Sequence, residues 1–344
     1  MTAMANPEQT GGVETACVRR VGIVGLGAYT PERVLSNADL EKMVDTSDQW
    51  IVERTGIRTR RIARNDQAAS DLALEAARQA LSGARLAPDA VELIIIATVT
   101  PDMAFPSTAC IVQEHLGAFR AACFDLNAAC SGWIYAMDIA WQCVRNGRYA
   151  NALVIGTEKL SAITDWEDRN TCVLFGDGAG AAVLAPTGAE GPVIHSAYLG
   201  ADGRFQKLLY LPAGGSRTPA SRETVDKRLH YLRMEGKETF KQAVTAMCHA
   251  AEIALERAGM TAGEISWVIP HQANMRILKA VAKKLAVPFE KVYVTVDHCG
   301  NISAASIPVA LEEGMRRGAI RPGDRVLVVA FGGGLTWGGM VLTV

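Results

Sequence analysis

Cys130 is the cysteine whose surroundings best suit a nucleophile among the eight in this 344-residue chain. The apolar segment 123–129 precedes it, and an amphipathic segment follows, a pattern that predicts a strand and then a helix over 131–147. Backbone N–H groups at a helix start favour negative charge, so we expect a lowered thiol pKa and a reactive thiolate. The alternative is a buried structural cysteine, which is our interpretation of the other seven.

Two residues from the second half of the chain are candidate partners of this thiol. His271 directly follows the apolar segment 265–270, which is typical of a buried strand, and Asn301 lies in the sequence CGNISAAS. The carboxyl ends of strands in α/β sheets face the ligand crevice, where a histidine can act as a base or donate to developing negative charge. A lone histidine is more often structural, and only its place in the duplication described below favours a functional role.

Attack of a cysteine on a thioester or amide also needs an oxyanion hole. The backbone N–H of Cys130 can supply one donor at the helix start. The FGGG run at 331–334 can supply another, because glycine permits close approach of the backbone. The alternative for this run is a tight turn between two strands.

The elements that must position these residues occur twice along the chain. Short apolar runs alternate with amphipathic stretches, which predicts an α/β protein with a mostly parallel central sheet. Four pairs of segments match in the same order: 80–97 with 254–271, 123–132 with 293–301, 148–156 with 322–330, and 175–184 with 332–342. The first and third pairs have an offset of 174 residues; the second has an offset near 169 and sets Asn301 opposite Gly132. We interpret the pattern as a duplication whose pseudo-two-fold axis brings the candidate residues together.

Composition excludes several classes of protein. The 35 Lys and Arg against 36 Asp and Glu give a net charge of −1, which argues against a general nucleic-acid binder. The sequence has no apolar run of about 18 residues, so we expect no transmembrane helix, and its first residues lack the apolar core of a secretory signal. The cysteines are dispersed without a CxxC pair, which predicts no metal site and a reduced, cytoplasmic setting.

The distribution of polar and apolar residues also predicts how the chain is organised. Residues 1–18 are expected to form a flexible N-terminal tail, because they are polar and contain glycine and proline. Residues 19–190 would form the half that carries the cysteine, and residues 191–344 the half that carries His271. The stretch at about 186–235 is expected to hold the crossover and loops.

Six segments, taken in order, resemble the β-ketoacyl-acyl-carrier-protein synthase III family of thiolase-like condensing enzymes. The resemblance runs from about Arg20 to Val344. It implies a duplicated α/β fold of five layers, α-β-α-β-α, with two mixed central sheets, and a homodimer. The segments are 45–60, 124–133, 175–184, 271–277, 300–306 and 331–338.

The resemblance also implies an acyltransferase activity in fatty acid biosynthesis. An acyl group would pass from acyl-CoA to Cys130, and a decarboxylative Claisen condensation with malonyl-acyl-carrier-protein would then give a β-ketoacyl-acyl-carrier-protein and CO₂. His271 and Asn301 would stabilise the enolate that forms when CO₂ leaves. The backbone N–H groups of Cys130 and Gly333 would hold the thioester oxyanion. No cofactor is implied, since coenzyme A enters as part of a substrate.

Further residues match the family's binding positions. Trp50 and Arg169 would stack on the CoA adenine, Arg54 and Asn274 would line the pantetheine tunnel, and Phe105 would enter the acyl pocket of the partner subunit. Ordinary surface roles are the alternative for the first two. Cys299 is interpreted as a packing residue, because true thiolases carry their second cysteine in the terminal glycine-rich turn.

The segment 274–286 that follows His271 predicts an amphipathic helix. Its basic side chains lie near the expected mouth of the site and would steer an acidic carrier protein towards it. The alternative is a solvated helix face. These docking residues are Arg276, Lys279, Lys283 and Lys284.

Other functions remain open at this point. One is a secondary-metabolite relative of the same fold that transfers acyl groups to another acceptor. A Cys/His hydrolase would share the same catalytic logic, and a non-catalytic acyl-CoA binder would share only the groove. The sequence does not decide which acyl chain is preferred.

Overall fold

The computed structural model describes residues 18–344. The expected tail at 1–18 therefore lies outside the described residues, apart from Val18, which is exposed. Within this described range, none of the helices combines the length and apolar character needed to cross a membrane.

Thirteen strands and ten α-helices occur in the described residues. The strands are β1 Val21–Tyr29, β2 Arg33–Ser36, β3 Thr59–Ile62, β4 Leu93–Ala97, β5 Ala122–Leu126, β6 Ala152–Lys159, β7 Asp177–Pro186, β8 Val193–Ala201, β9 Leu209–Tyr210, β10 Arg233–Met234, β11 Trp267–Pro270, β12 Arg325–Gly332 and β13 Thr336–Thr343. The helices are α1 Asn37–Leu40, α2 Asp48–Thr55, α3 Ala69–Ala84, α4 Thr108–Leu116, α5 Gly132–Arg145, α6 Arg222–Asp226, α7 Gly236–Ala258, α8 Met275–Lys284, α9 Val296–Cys299 and α10 Ser306–Arg316.

The structure contains two large sheets, in which equivalent strands of the two halves follow the same order. The first runs β1-β7-β6-β4-β5, and the second runs β8-β13-β12-β11. The pairs β4–β5, β4–β6 and β11–β12 are parallel, and the remaining pairs of these two sheets are antiparallel. The mixed sheets expected from the resemblance are confirmed. The expectation of a mostly parallel sheet is wrong, because a strand buried on both faces has the same apolar sequence whichever way it runs.

The register of the strands confirms the duplication. Ile94 pairs with Leu153 in the first sheet, and Val268 pairs with Leu327 in the second. Each residue of the second pair lies 174 positions after its counterpart in the first. The offset read from the sequence is therefore the offset of the two folded halves at these strands.

The number of residues that separates equivalent positions of the two halves is not constant. It differs between strand β5 and the turn that follows β5. Cys123 pairs beside Ile94, and Val292 bridges to Val268, so the offset there is 169 (123 and 292). The short helix α9 then adds residues in the second half only. After it, the left-handed residues Ala129 (φ 46°) and Ser303 (φ 47°) are again 174 apart.

Asn301 therefore corresponds to Asn127 and not to Gly132, which corrects the expected alignment. Both asparagines make the same turn. The Asn127 side chain accepts a hydrogen bond from the N–H two residues on at 3.3 Å, and the Asn301 side chain does so at 3.0 Å. The inserted helix α9 is the reason for the error, since an ungapped comparison cannot contain it.

Five layers result from this arrangement. Helices α5 and α10 lie between the two sheets, and α3 and α4 cover the outer face of the first. Helix α7 covers the outer face of the second sheet, and α8 packs beside α7 in the same core. Along β4, Leu93, Ile95 and Ala97 pack into the central core, whereas Ile94 and Ile96 pack under α3. Burial on both faces explains the continuous apolar run of this strand.

Strand β8 lies in the stretch at about 186–235 that we expect to hold the crossover and loops. It is the edge strand of the second sheet. The first sheet ends at Pro186 and the second begins at Val193. We therefore retain residues 19–190 and 191–344 as the proposed halves.

Candidate active site

One cavity of about 530 Å³ contains all three candidate catalytic residues. Cys130 reaches it from the first half, and His271 and Asn301 reach it from the second. Cys130 and His271 lie in the turns that follow a strand, and Asn301 follows the short helix α9. The duplication thus brings together side chains that are far apart in the sequence.

Cys130 lies in a single 3₁₀ turn, Ala129–Ser131, immediately before α5. A Cβ atom at Gly332 would lie 2.6 Å from the Cys130 backbone nitrogen, so only glycine lets the end of β12 approach this turn. The thiol is buried, and burial raises its pKa to about 12, against smaller lowering contributions from hydrogen bonds. The expectation of a lowered thiol pKa is therefore wrong: at this site desolvation outweighs the helix start.

His271 is a neutral side chain in this site. Burial lowers its pKa to about 3. Its Nδ1 lies 2.8 Å from the Ser306 hydroxyl oxygen, which also accepts the Gln272 N–H at 3.4 Å. A hydroxyl that accepts from Gln272 is free to donate its own proton to Nδ1, which favours the tautomer with the proton on Nε2. His271 can then offer an N–H donor to the cavity without carrying charge.

Asn301 is held by its backbone and its side-chain oxygen. Its N–H donates to the Leu174 carbonyl at 2.9 Å, and its Oδ1 accepts the Ser303 N–H at 3.0 Å. Since Oδ1 is engaged in the turn, the amide group available to the cavity is Nδ2–H₂, a donor. His271 and Asn301 thus present two donors to the space that they share with Cys130.

The mouth of the cavity carries the expected CoA-binding side chains. Trp50, Arg54 and Asn274 line it, and the Asn274 side chain also accepts the Ile277 N–H as the cap of α8. The Arg54 and Arg169 guanidinium carbons lie 4.8 Å and 4.6 Å from the Trp50 ring centroid. Arg169 does not line the cavity itself but reaches it through this stack.

Two expected site residues lie elsewhere. Phe105 is 85% exposed, in the loop before α4, and does not line the cavity. Gly333 follows the end of β12, where a Cβ atom would lie 2.9 Å from the Leu209 carbonyl oxygen. Their roles in a partner's pocket and in the oxyanion hole stay predictions.

The amphipathic helix predicted at 274–286 is α8. Ile277, Val281 and Leu285 are buried as expected. Arg276 also lines the cavity and stacks over Phe240 at 5.6 Å. The basic side chains are all exposed: Arg276, Lys279, Lys283 and Lys284.

Sequence reasoning did not single out four residues that organise the site, although Gly332 belongs to the FGGG run at 331–334. Ser306 holds His271, Ser303 holds Asn301, and Gly332 lets β12 reach Cys130. The fourth is Glu158, a wholly buried carboxylate at the end of β6 that bonds to Ser303. The sequence did contain a signal for Glu158. A charged residue at the end of a buried apolar strand needs a buried hydrogen-bonding partner, which marks it as part of an organised site.

A buried cysteine and two potential hydrogen-bond donors that share one cavity on a duplicated five-layered fold are typical of thiolase-like condensing enzymes. The sequence pattern of 3-oxoacyl-[acyl-carrier-protein] synthase III matches residues 124–203, and that of its C-terminal part matches residues 255–344. The chain belongs to this family of acyltransferases.

Individual relatives agree over nearly the full length. The chain is 58% identical over 321 residues to a β-ketoacyl-[acyl-carrier-protein] synthase III from Caldanaerobacter subterraneus, covering 93% of this chain and 97% of the relative. It is 56% identical over 325 residues to the protein of the same name from Symbiobacterium thermophilum, covering 94% and 98%. The crystal structure of 3-oxoacyl-[acyl-carrier-protein] synthase III from Aquifex aeolicus superposes with a TM-score of 0.87 at 48% identity, covering 94% of this chain and 100% of that one.

Proposed function

We propose that this protein joins an acyl group from acyl-CoA to the two-carbon unit of malonyl-acyl-carrier-protein, the condensation that starts a fatty-acid chain. The observation that carries the proposal is the single cavity shared by Cys130, His271 and Asn301. The family comparisons favour this function over a secondary-metabolite transferase with another acceptor.

In the first half-reaction, the sulfur of Cys130 attacks the thioester carbonyl of acyl-CoA. The backbone N–H groups of Cys130 and Gly333 hold the oxyanion of the tetrahedral intermediate. The coenzyme A thiolate leaves and takes up one proton. The acyl group remains on Cys130 as a new thioester.

In the second half-reaction, malonyl-acyl-carrier-protein enters the cavity that coenzyme A has left, and it loses CO₂ there. Negative charge moves to the thioester oxygen of the enolate, where the His271 Nε2–H and the Asn301 Nδ2–H donate. A neutral imidazole suits this role, because it donates without first binding a proton from solvent. The enolate carbon then attacks the acyl carbon, and the Cys130 thiolate leaves.

Each substrate has a proposed binding surface. Trp50 and Arg169 would hold the adenine, and Arg54 and Asn274 the pantetheine. The 4.6 Å stack between Arg169 and Trp50 means that adenine must displace this guanidinium from the ring. The exposed basic face of α8 would bind the acidic carrier protein. No cofactor takes part, since all bonds that form and break belong to the substrates and Cys130.

A homodimer in the cytoplasm completes the proposal. Strand β5 is the edge of the first sheet and is paired on one side, by β4. Exposed aromatic rings lie on and near this edge: Phe105, Phe119 and Phe124. Unpaired strand edges with exposed apolar side chains favour pairing with a second chain. Phe105 would then enter the partner's acyl pocket, and Phe124→Lys should lower the mass measured by sedimentation.

Acylation of a single thiol tests the proposal. Purified protein is incubated with acetyl-CoA, and the adduct is located by peptide mass; malonyl-acyl-carrier-protein is then added, and CO₂ and the β-ketoacyl product are measured. We expect the acetyl group on Cys130, and no product from Cys130→Ala. The matched control is Cys299→Ala, since Cys299 packs in a small core with Ile302 and Val309 and should not be needed. An acetyl group on any other cysteine, or release of free acid without condensation, would contradict the function.

A further inference from the structure

The proposed first half-reaction leaves one proton without a destination. The Cys130 thiol is buried and its pKa is raised to about 12, so it stays protonated near neutral pH. His271 is held as an enolate donor, and no hydrogen bond joins it to the thiol among the described residues. A buried thiol of this kind needs a nearby proton acceptor to become a nucleophile.

Ser303 is the residue that connects the thiol region to a buried carboxylate. Its hydroxyl favours the thiolate form of Cys130, an effect that is smaller than that of burial on the thiol pKa. The same hydroxyl donates to Glu158 Oε1 at 3.0 Å. Both residues are buried, Ser303 at 2% and Glu158 at 0% exposure. The thiol, the hydroxyl and the carboxylate therefore form one cluster that is shielded from solvent.

Glu158 is held in place by other donors. The Val99 N–H and the Thr100 hydroxyl donate to its Oε2 at 3.1 Å and 2.8 Å, and the Thr98 hydroxyl at 3.3 Å. Its oxygen Oε1 faces Ser303. The carboxylate has no cationic partner in these contacts, and burial raises its pKa to about 7. A carboxyl group with this affinity can both take up and release a proton at neutral pH.

We propose, resting on the function above, that Ser303 and Glu158 together accept the Cys130 proton during acyl transfer. Ser303 Oγ receives the proton from the thiol and passes its own proton to Glu158 Oε1. The result is a thiolate that accepts a hydrogen bond from Ser303, and a neutral carboxyl group. The thiolate forms a bond to the acyl carbon, and the C–S bond to coenzyme A breaks. The proton returns from Glu158 through Ser303 to the departing sulfur, so that one thiol is consumed and one is released.

The other titratable groups around Glu158 are engaged elsewhere. The Lys159 ammonium donates to the Gln67 carbonyl, and the Asp177 carboxylate accepts from the Ser161 hydroxyl at 2.6 Å and from the Ala63 N–H at 2.8 Å. The negative charge of Glu158 raises the pKa of the Cys130 thiol. Glu158 acts through Ser303 and does not touch the thiol or the substrate.

If Glu158 had only a structural role, its loss would affect the two half-reactions differently from the loss of a proton acceptor. Ser303 also donates its backbone N–H to Asn301, so a carboxylate that only supported this turn would affect the enolate donor as much as the thiol. Removing the proton acceptor alone should slow acylation and spare decarboxylation. The two half-reactions therefore separate the two roles.

The test compares Glu158→Gln, Ser303→Ala and Glu158→Asp with the matched control Asp177→Asn. Asp177 is likewise a wholly buried carboxylate with a serine donor, but it does not line the cavity. Two rates are measured between pH 5.5 and 9: acetylation of Cys130 by acetyl-CoA, and its alkylation by iodoacetamide, which needs a thiolate but no acyl-CoA. Decarboxylation of malonyl-acyl-carrier-protein is measured on enzyme acylated beforehand by prolonged incubation.

In the unsubstituted protein both rates should rise as Glu158 ionises, through a pKa of about 7. Glu158→Gln and Ser303→Ala should lose this inflection and acylate on the order of 10²-fold more slowly, with decarboxylation within a few-fold. Glu158→Asp should keep an inflection, and Asp177→Asn should keep the full profile. An unchanged acylation rate in Glu158→Gln, or an equal loss in both half-reactions, would overturn the proposal. Failure of the unsubstituted protein to accept acetyl groups would instead refute the function, and the alkylation profile would still test the proton path.

Discussion

Replacing Asn301 with alanine separates enolate stabilisation from every other role of the site. The amide oxygen is engaged with the Ser303 N–H at 3.0 Å, so alanine removes the Nδ2–H₂ donor and one turn hydrogen bond. The donor acts on charge that develops only when CO₂ leaves. Loss of one such donor costs about 10²–10³ in rate, or roughly 2.7–4 kcal/mol of barrier. The turn bond contributes about 0.5–1.5 kcal/mol to the free energy of unfolding.

The duplication supplies the control. Asn127→Ala removes the equivalent turn bond to the Ala129 N–H at 3.3 Å, but it removes no donor to the enolate. CO₂ release from malonyl-acyl-carrier-protein and acetylation of Cys130 are measured for both variants, together with thermal unfolding. We expect Asn301→Ala to lose decarboxylation by about two orders of magnitude while acetylation persists in part. Asn127→Ala should change decarboxylation only a few-fold.

Two results would refute this reasoning. If Asn301→Ala decarboxylates normally but no longer accepts acetyl groups, its amide serves the thioester oxyanion and not the enolate. If both asparagine variants lose decarboxylation equally, the integrity of the paired turns matters and the donor does not. Matched unfolding temperatures would exclude a general loss of folded protein as the cause.

Three further predictions follow from the same geometry. Because burial lowers the pKa of His271 to about 3, decarboxylation by acylated enzyme should be flat from pH 5.5 to 8 and should fall only as pH approaches that value; a step near pH 6.5 would show that a charged imidazole is involved. Trp50→Ala should raise the KM for acetyl-CoA on the order of tenfold with little change in kcat, since the stacking surface serves binding; an unchanged KM would place the adenine elsewhere. The double variant Arg276→Glu and Lys283→Glu should slow carrier-dependent condensation at low salt and leave acetylation by acetyl-CoA nearly unchanged, with the defect shrinking above about 0.1 M salt; normal turnover at low salt would move the docking surface.

Much of the fold could be predicted because duplication leaves a pattern in the sequence. Segments 80–97 and 254–271 align at one offset, and the strand registers keep that offset. The direction of each strand could not be predicted, because a strand buried on both faces has the same apolar sequence whichever way it runs. The inserted helix α9 also escaped, because four residues of helix are too few to show a period.

Cys130 and His271 could be predicted from their places at strand ends, but their chemistry could not. The helix start before α5 suggested a lowered thiol pKa for Cys130. The folded chain buries that thiol against Glu158 and Ser303, and desolvation prevails. Ser303 and Glu158 are 145 positions apart, so no local pattern joins them. Burial and long-range contact are the two quantities that a single sequence does not contain.

The two turns show why one ancestral geometry can serve two different tasks. Both contain an asparagine that accepts a backbone N–H two residues on, and both then enter a 3₁₀ turn and a helix of the central layer. In the first half the turn presents a thiol, and Asn127 is exposed to solvent, where water competes for its amide. In the second half alanine stands at the position of the thiol, and Asn301 is only 7% exposed. A donor is worth more where the surroundings exclude water. Depth in the fold, rather than a change of local backbone, therefore suits Asn301 and not Asn127 to the proposed role of enolate donor.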